Sequence, residues 1–261
     1  MNNSLVNQEF RQLEIELNNL FRSDNDIYSY LSEFLNSPTK RIRSMVTILY
    51  LKAFNQEVNI DLLLIGELIH NASLLHDDVI DEAKDRRGKP TLANVFNSHT
   101  AILSGDYLLS LATAKLIKLQ NWNILKRFQN CIKRMSEAEI LQYSLRNKIP
   151  DKNEYLTIVK GKTAELFATI LTSACEIANL DKQNAENFAI NFGILFQLKN
   201  DLERISASKD AENKIYTLKD IIGIEKTKVL MDNYQEEIRR QIKEFPRNVY
   251  SEALEDLLGL I

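Results

Sequence analysis

Three carboxylates, Asp77, Asp78 and Asp81, interrupt the end of an apolar run with helical period (Leu62, Leu63, Ile65, Gly66, Leu68, Ile69, Ala72, Leu74, Leu75). Aspartate is a poor helix former, so propensity does not account for them. On a helix, Asp77 and Asp81 lie one turn apart and project from one face, so their oxygens can aim at a common point. Hard divalent cations such as Mg²⁺ take oxygen ligands and are typically held by about one or two carboxylates together with waters and substrate phosphates. Directly downstream, Arg86-Arg87-Gly88-Lys89-Pro90-Thr91 offers two planar guanidinium forks suited to phosphate oxygens. In a chain with 36 acidic residues a bare Asp-Asp-x-x-Asp also describes a solvated helix end, so the pattern needs support from elsewhere in the chain.

That support comes as an ordered series. Thr39-Lys40-Arg41-Ile42-Arg43 lies upstream, with His70 seven residues before Asp77. Downstream follow Ser104-Gly105-Asp106-Tyr107-Leu108-Leu109, Gly161-Lys162-Thr163-Ala164 and Phe196-Gln197. LLHDDVID followed by RRGKPT resembles the first aspartate-rich motif of the trans-prenyltransferases, the polyprenyl diphosphate synthase family. The upstream cations stand where that family has GGKRxRP. The later segments are similar to its GDYLL segment, its KT motif and the opening of its second aspartate-rich motif.

The resemblance covers the chain from about Lys40 to the C-terminus. It implies an all-α fold of the isoprenoid synthase type, a helical bundle around a deep central cavity. It implies a head-to-tail (1'-4) condensation of an allylic diphosphate with isopentenyl diphosphate, with about two or three Mg²⁺ ions. Asp77 and Asp81 are the main metal ligands implied, with Asp78 in support and Asn200 in the second motif. Arg86 and Lys214 are assigned to the allylic diphosphate, and Lys40, Arg43, His70 and Arg87 to the homoallylic one. Lys162, Thr163 and Gln197 match residues near the departing diphosphate. A homodimer is expected.

The second motif departs from the family pattern FQxxDDxxD. It runs Phe196-Gln197-Leu198-Lys199-Asn200-Asp201-Leu202-Glu203-Arg204, so its first Asp is Asn200 and its last is Arg204. An amide oxygen can coordinate Mg²⁺ but brings no charge, which lowers the affinity expected there. Upstream, Ser37-Pro38-Thr39 replaces the two glycines, and Ser44 replaces the usual proline after Arg43. These departures keep open a weakly active or non-catalytic subunit of a heteromeric prenyltransferase. A class I terpene cyclase fits less well, since its metal motif would require Ser/Thr and then Glu where Arg204 and Ser208 stand. Product length is read one turn before Asp77, at Ala72 and Ser73, where short-chain relatives carry a bulky aromatic floor. One helical turn of about 5.4 Å approximates one isoprene unit, so small residues here predict a product longer than C20.

The elements that must hold these residues are helices. Seven glycines and four prolines leave few break points, and Asn-Gly or Asp-Gly turns flanked by alternating β-branched residues are absent. Helix-period segments run at about 5–22, 25–36, 40–54, 58–80, 92–97, 100–119, 121–145, 151–179, 183–206, 217–243 and 249–259. No linker or repeat separates them, which predicts one domain over residues 1–261. A net charge of −3 argues against a nucleic-acid partner. Cys131 and Cys175 lack metal-ligand spacing and read as plain thiols, consistent with a reducing cytoplasm. No run reaches the roughly 18 apolar residues of a membrane span, and Met1-Asn2-Asn3-Ser4 carries no signal-peptide chemistry, so a cytoplasmic protein is expected.

Overall fold

The computed structural model describes residues 3–21, 25–37, 39–203 and 215–260, and within them helix dominates. A 3₁₀ turn at Asn3–Val6 leads into α1 (Asn7–Asn18), followed by α2 (Asp26–Leu35), α3 (Ile42–Ala53) and α4 (Ile60–Ile80). Then come α5 (Leu92–Val95), α6 (Ser98–Lys118), α7 (Trp122–Ser144), α8 (Lys152–Val159), α9 (Glu165–Ile177) and α10 (Lys182–Glu203). After residue 214 the chain forms α11 (Leu218–Ile222), α12 (Ile224–Lys243) and α13 (Val249–Leu260). Short polar side chains start the long helices by accepting otherwise unpaired N–H groups. Asn59 accepts from Leu62 at 3.2 Å, Asn97 from Thr100 at 2.8 Å, and Asp151 forms a reciprocal capping box with Glu154.

Three local features differ from the sequence reading. The segment expected as one helix over 217–243 breaks at Gly223, whose φ of +87° suits glycine alone. The rod expected over 151–179 contains a π turn at Lys160–Ala164, where the Glu165 N–H reaches back to the Lys160 carbonyl. A minimal antiparallel hairpin joins α4 to α5, with Asp85 opposite Pro90 and Arg86 opposite Lys89. Its two loop residues, Arg87 (φ +53°) and Gly88 (φ +76°), are both left-handed, the requirement of a type I′ turn. Gly88 meets that requirement without strain, whereas Arg87 costs roughly 1–2 kcal/mol.

The chain divides into two compact units. One comprises the chain before Leu49 together with Val58–Leu125; the other comprises Leu49–Glu57 and the chain from Lys126 onward. In the first, α4 packs on α6 and α1, and Leu62, Leu63, Leu64 and Ile65 are all fully buried, so this helix is apolar around most of its girth. Gly105 of α6 faces the His76 ring so closely that a Cβ would lie 2.3 Å from Nε2, and the ring would have to move to admit one. In the second unit, α9 and α10 pack together. Tyr50, Phe188 and Phe245 form an aromatic cluster, with 5.3 Å between the centroids of Tyr50 and Phe188 and 5.0 Å between those of Tyr50 and Phe245. Cys131 and Cys175 are buried and form no disulfide among the described residues, and burial pushes the Cys175 thiol up to about 12, an unreactive state. No described helix is long and apolar enough to cross a membrane.

Gly193 of α10 sits against the π turn, where a Cβ would meet the Ala164 Cα at 2.5 Å and its Cβ at 2.8 Å. Backbone cannot swing aside as a side chain can. Gly193→Ala is therefore expected to destabilise the protein by about 1–3 kcal/mol through overpacking. Thermal melting checks this, and an unchanged midpoint would show the two helices to be less closely apposed.

Candidate active site

The acid cluster closes α4. The Asp81 N–H donates to the Asp77 carbonyl at 2.8 Å, so the helix runs through the cluster and holds Asp77 and Asp81 one turn apart, both half-buried. Asp78, about 100° further round the helix from Asp77, turns inward and is 2% exposed. Its Oδ1 accepts from Nε of Arg86 at 2.8 Å and lies 2.8 Å from Nη2 in an ion pair. The structure thus brings Asp78 to Arg86, a pairing that neither residue's expected role anticipated. The intervening chain is tied back at several points. The Ala83 N–H donates to the Asp78 carbonyl, the Thr91 hydroxyl to the Ala83 carbonyl at 2.7 Å, and the Tyr30 hydroxyl to the Pro90 carbonyl at 2.8 Å. Lys89 pairs with Glu33 of α2.

Among the described residues, no group of three or more His, Cys, Asp or Glu side chains is placed to hold a metal unaided. The donor set at Asp77 and Asp81 is therefore all-oxygen and incomplete. It suits Mg²⁺, which fills its octahedron with waters and substrate phosphate, better than Zn²⁺, which prefers a closed nitrogen and sulfur cage.

The same unit gathers the cations. Arg41, in a left-handed conformation with φ of +41°, donates to Glu67 Oε2 at 3.0 Å and to the Leu35 carbonyl at 2.8 Å. Ser44 donates to the other Glu67 oxygen at 2.7 Å. Both charged side chains are 6% exposed, so this is a buried pair whose two carboxylate oxygens are both engaged. It fastens the start of α3, where Arg43 stands, to the middle of α4, one turn before His70. Ser44, which stands where the resemblance expects proline, has a role in this network.

His70 is held well below its ordinary value of 6.5, first by burial and then by Arg43, Arg87, Arg86 and Arg41. Four guanidinium groups and a neutral imidazole thus share one neighbourhood. Lys40 is exposed at its edge, and Arg87 reaches the Ser37 hydroxyl at 3.5 Å. Ala72 is fully buried, and half-buried Ser73 donates its hydroxyl to the His70 carbonyl at 2.8 Å.

In the other unit, Lys162 and Thr163 lie on the π turn, a distortion that re-aims side chains and is frequent at functional sites. Lys162 pairs with Glu139. The Thr163 hydroxyl donates to Gln197 Oε1 at 3.0 Å, and Gln197 Nε2 donates to Asp201 Oδ1 at 2.8 Å. The Tyr155 hydroxyl donates to the other oxygen of Asp201, so this carboxylate turns inward, at 7% exposure. Asn200 is exposed, and Lys199 pairs with Glu203 at 3.3 Å. Arg204, Ser208 and Lys214 lie outside the described residues.

Sequence reasoning passed over Arg41, Glu67, Glu139 and Tyr155. Glu67 did carry a signal, since a carboxylate inside an apolar helical run is buried only when paired. Tyr155 carried none, because an aromatic on an apolar stripe reads as packing.

The sequence model of the polyprenyl synthetase family matches residues 24–257. A prenyl transferase of Cyanidium caldarium is 30% identical over 227 residues, covering 81% of this chain and 69% of its own. An all-trans-nonaprenyl-diphosphate synthase (geranyl-diphosphate specific) of Rhodobacter capsulatus is 36% identical over 152 residues, which are 57% of this chain and 46% of that one. The chain thus matches between about half and two thirds of the length of these relatives. In fold it is similar to a polyprenyl synthase from Caulobacter crescentus solved with calcium and isoprenyl diphosphate. The TM-score is 0.88 at 24% identity, over 98% of this chain and 94% of that one. The fold is all-α, of the isoprenoid synthase type, and the chain belongs to the polyprenyl synthetase family.

Proposed function

We propose that this chain condenses an allylic diphosphate with isopentenyl diphosphate by Mg²⁺-dependent head-to-tail prenyl transfer and extends its product beyond C20. One observation carries the reading. A single unit holds two carboxylates one turn apart at the end of α4 and, around His70, four arginines. Two anionic diphosphates need this combination, one approached through a metal and one through direct cations. Asp77 and Asp81 would hold Mg²⁺, which when bound neutralises the charge developing on the departing pyrophosphate. Asp78 positions the Arg86 guanidinium toward the allylic diphosphate. Arg87, Arg43 and His70, with Lys40 at the rim, bind isopentenyl diphosphate, and Lys162, Thr163 and Gln197 attend the leaving group. The chain acts as one prenyltransferase domain, and the working form is a homodimer.

A second reading has a specific observation behind it. Asn200 supplies no charge, and Asp201 is turned inward to Tyr155 and Gln197 instead of compensating for it. A subunit with impaired catalysis would carry such a motif. Incubating the purified chain alone with farnesyl and isopentenyl diphosphates separates the two. The enzyme reading expects isopentenyl incorporation into chains longer than C20, shorter products with Ala72→Phe, and a lower Mg²⁺ requirement with Asn200→Asp. No incorporation in the wild type would favour the impaired subunit, and products stopping at C20 would refute the reading of Ala72 and Ser73.

The His70 titration gives an independent check. Since its folded value is depressed, the neutral imidazole supports stability at and above the ordinary value of 6.5, and that contribution is lost as pH falls below it. Burial is the first cause of the depression and the arginines the second, and a diphosphate among the arginines would cancel their share. Proton and anion should therefore bind cooperatively. Followed by NMR, inorganic pyrophosphate is expected to raise the His70 titration point; an unchanged titration would place the anion elsewhere.

A further inference from the structure

The second aspartate-rich segment contains a hydrogen-bond chain that the metal chemistry does not use. The Tyr155 phenol donates to Oδ2 of Asp201, the Gln197 amide donates to Oδ1 at 2.8 Å, and the Thr163 hydroxyl donates to the Gln197 carbonyl at 3.0 Å. Asp201 and Thr163 are each 7% exposed, so water competes weakly for these bonds. Burial first, and then Asp201, hold the Tyr155 phenol far above its ordinary range, so it remains a donor.

The direction of the chain follows from the chemistry of its members. A carboxylate only accepts, whereas the two ends of an amide are nearly alike in shape and opposite in function. With Asp201 on one side, the amino end of Gln197 must face it, and the carbonyl end must face Thr163. Reversed, the amide would set its carbonyl oxygen against a carboxylate oxygen, leaving two acceptors in contact with no proton between them. The single proton of Thr163 is thereby committed to Gln197, so the hydroxyl offers only lone pairs to anything else. The second N–H of Gln197 makes no hydrogen bond to a described residue and stays available as a donor.

We propose that Tyr155 and Asp201 are positioning residues. They lock the amide of Gln197 in one orientation, so that its remaining N–H is a donor toward a bound diphosphate while the Thr163 proton stays committed to Gln197. This rests on the reading of Thr163 and Gln197 as diphosphate-side residues. In this chain the aspartate after Asn200 thus serves to orient an amide and is not a reserve metal ligand.

The test uses the full-length protein labelled with ¹⁵N at glutamine side chains, with the Gln197 resonance assigned from its absence in Gln197→Ala. The wild type is expected to show one exchange-protected amide pair. In Asp201→Asn the neighbour can donate as well as accept, and the pair should broaden or split as both orientations are populated. Tyr155→Phe, which keeps the ring and its packing, should weaken protection in the same direction and serves if Asp201→Asn does not fold.

In steady-state incorporation of isopentenyl diphosphate, both variants should lower kcat by about 10-fold or more, the scale of misplaced reacting groups. KM should stay within about twofold, as for interactions expressed mainly in the transition state. A Gln197 resonance unchanged in both variants would overturn the inference, as would a changed resonance with full kcat. If the wild type consumes no isopentenyl diphosphate, the prenyl-transfer reading fails, and the amide resonance alone still decides the orientation claim.

Discussion

The last turn of an α-helix is the negative end of its peptide dipole, and α4 places Asp77, Asp78 and Asp81 there. Each acid in that position is unfavourable by about 0.3–1 kcal/mol, against the usual preference for basic residues. The surrounding structure is organised around this conflict. Arg86 comes back along a hairpin to neutralise Asp78, and the hairpin accepts a left-handed, strained Arg87 to make its turn. Asp77 and Asp81 are half-buried one turn apart at the same negative helix end, an arrangement that would suit a divalent cation. Local rules broken together with dedicated compensation mark a site kept for function.

The opposite charge is handled with equal care on α3 and the middle of α4. Four arginines near one imidazole repel each other, and the unit buries Arg41 against Glu67, whose other oxygen Ser44 holds. A buried ion pair is a poor source of net stability, but breaking one leaves an uncompensated charge, so it serves well as a rigid anchor. Arg43 and His70 inherit that rigidity because one stands two residues after Arg41 and the other one turn after Glu67. In the other unit a π turn re-aims Lys162 and Thr163, and a carboxylate that no longer has a full motif around it orients Gln197.

Much of this was legible in the amino-acid order. Long glycine-poor segments with period 3.6 left little choice but helices, and the four-residue spacing of Asp77 and Asp81 predicted their common face. What escaped has physical reasons. Asp78 is chemically identical to Asp77, and only the packing of α4 decides which of the two turns inward. The hairpin uses Arg87-Gly88 in place of an Asn-Gly turn, so its signal was a single glycine. A π turn inserts one residue and leaves the apolar period nearly intact, and Gly223 was too isolated to mark a break. Tyr155 and Asp201 meet across 46 residues of sequence, a contact that no local pattern encodes.

The proposed chemistry depends on Asp77 and Asp81 holding a divalent cation that shares its coordination with a diphosphate. Anomalous diffraction from crystals grown with Mn²⁺ and an unreactive thiolodiphosphate analogue tests it most directly. Mn²⁺ is expected at both carboxylates, about 2.1 Å from their oxygens, with diphosphate oxygens completing the shell. Ligand bound with the anomalous signal elsewhere, or with no signal beside Asp77 and Asp81, would contradict it.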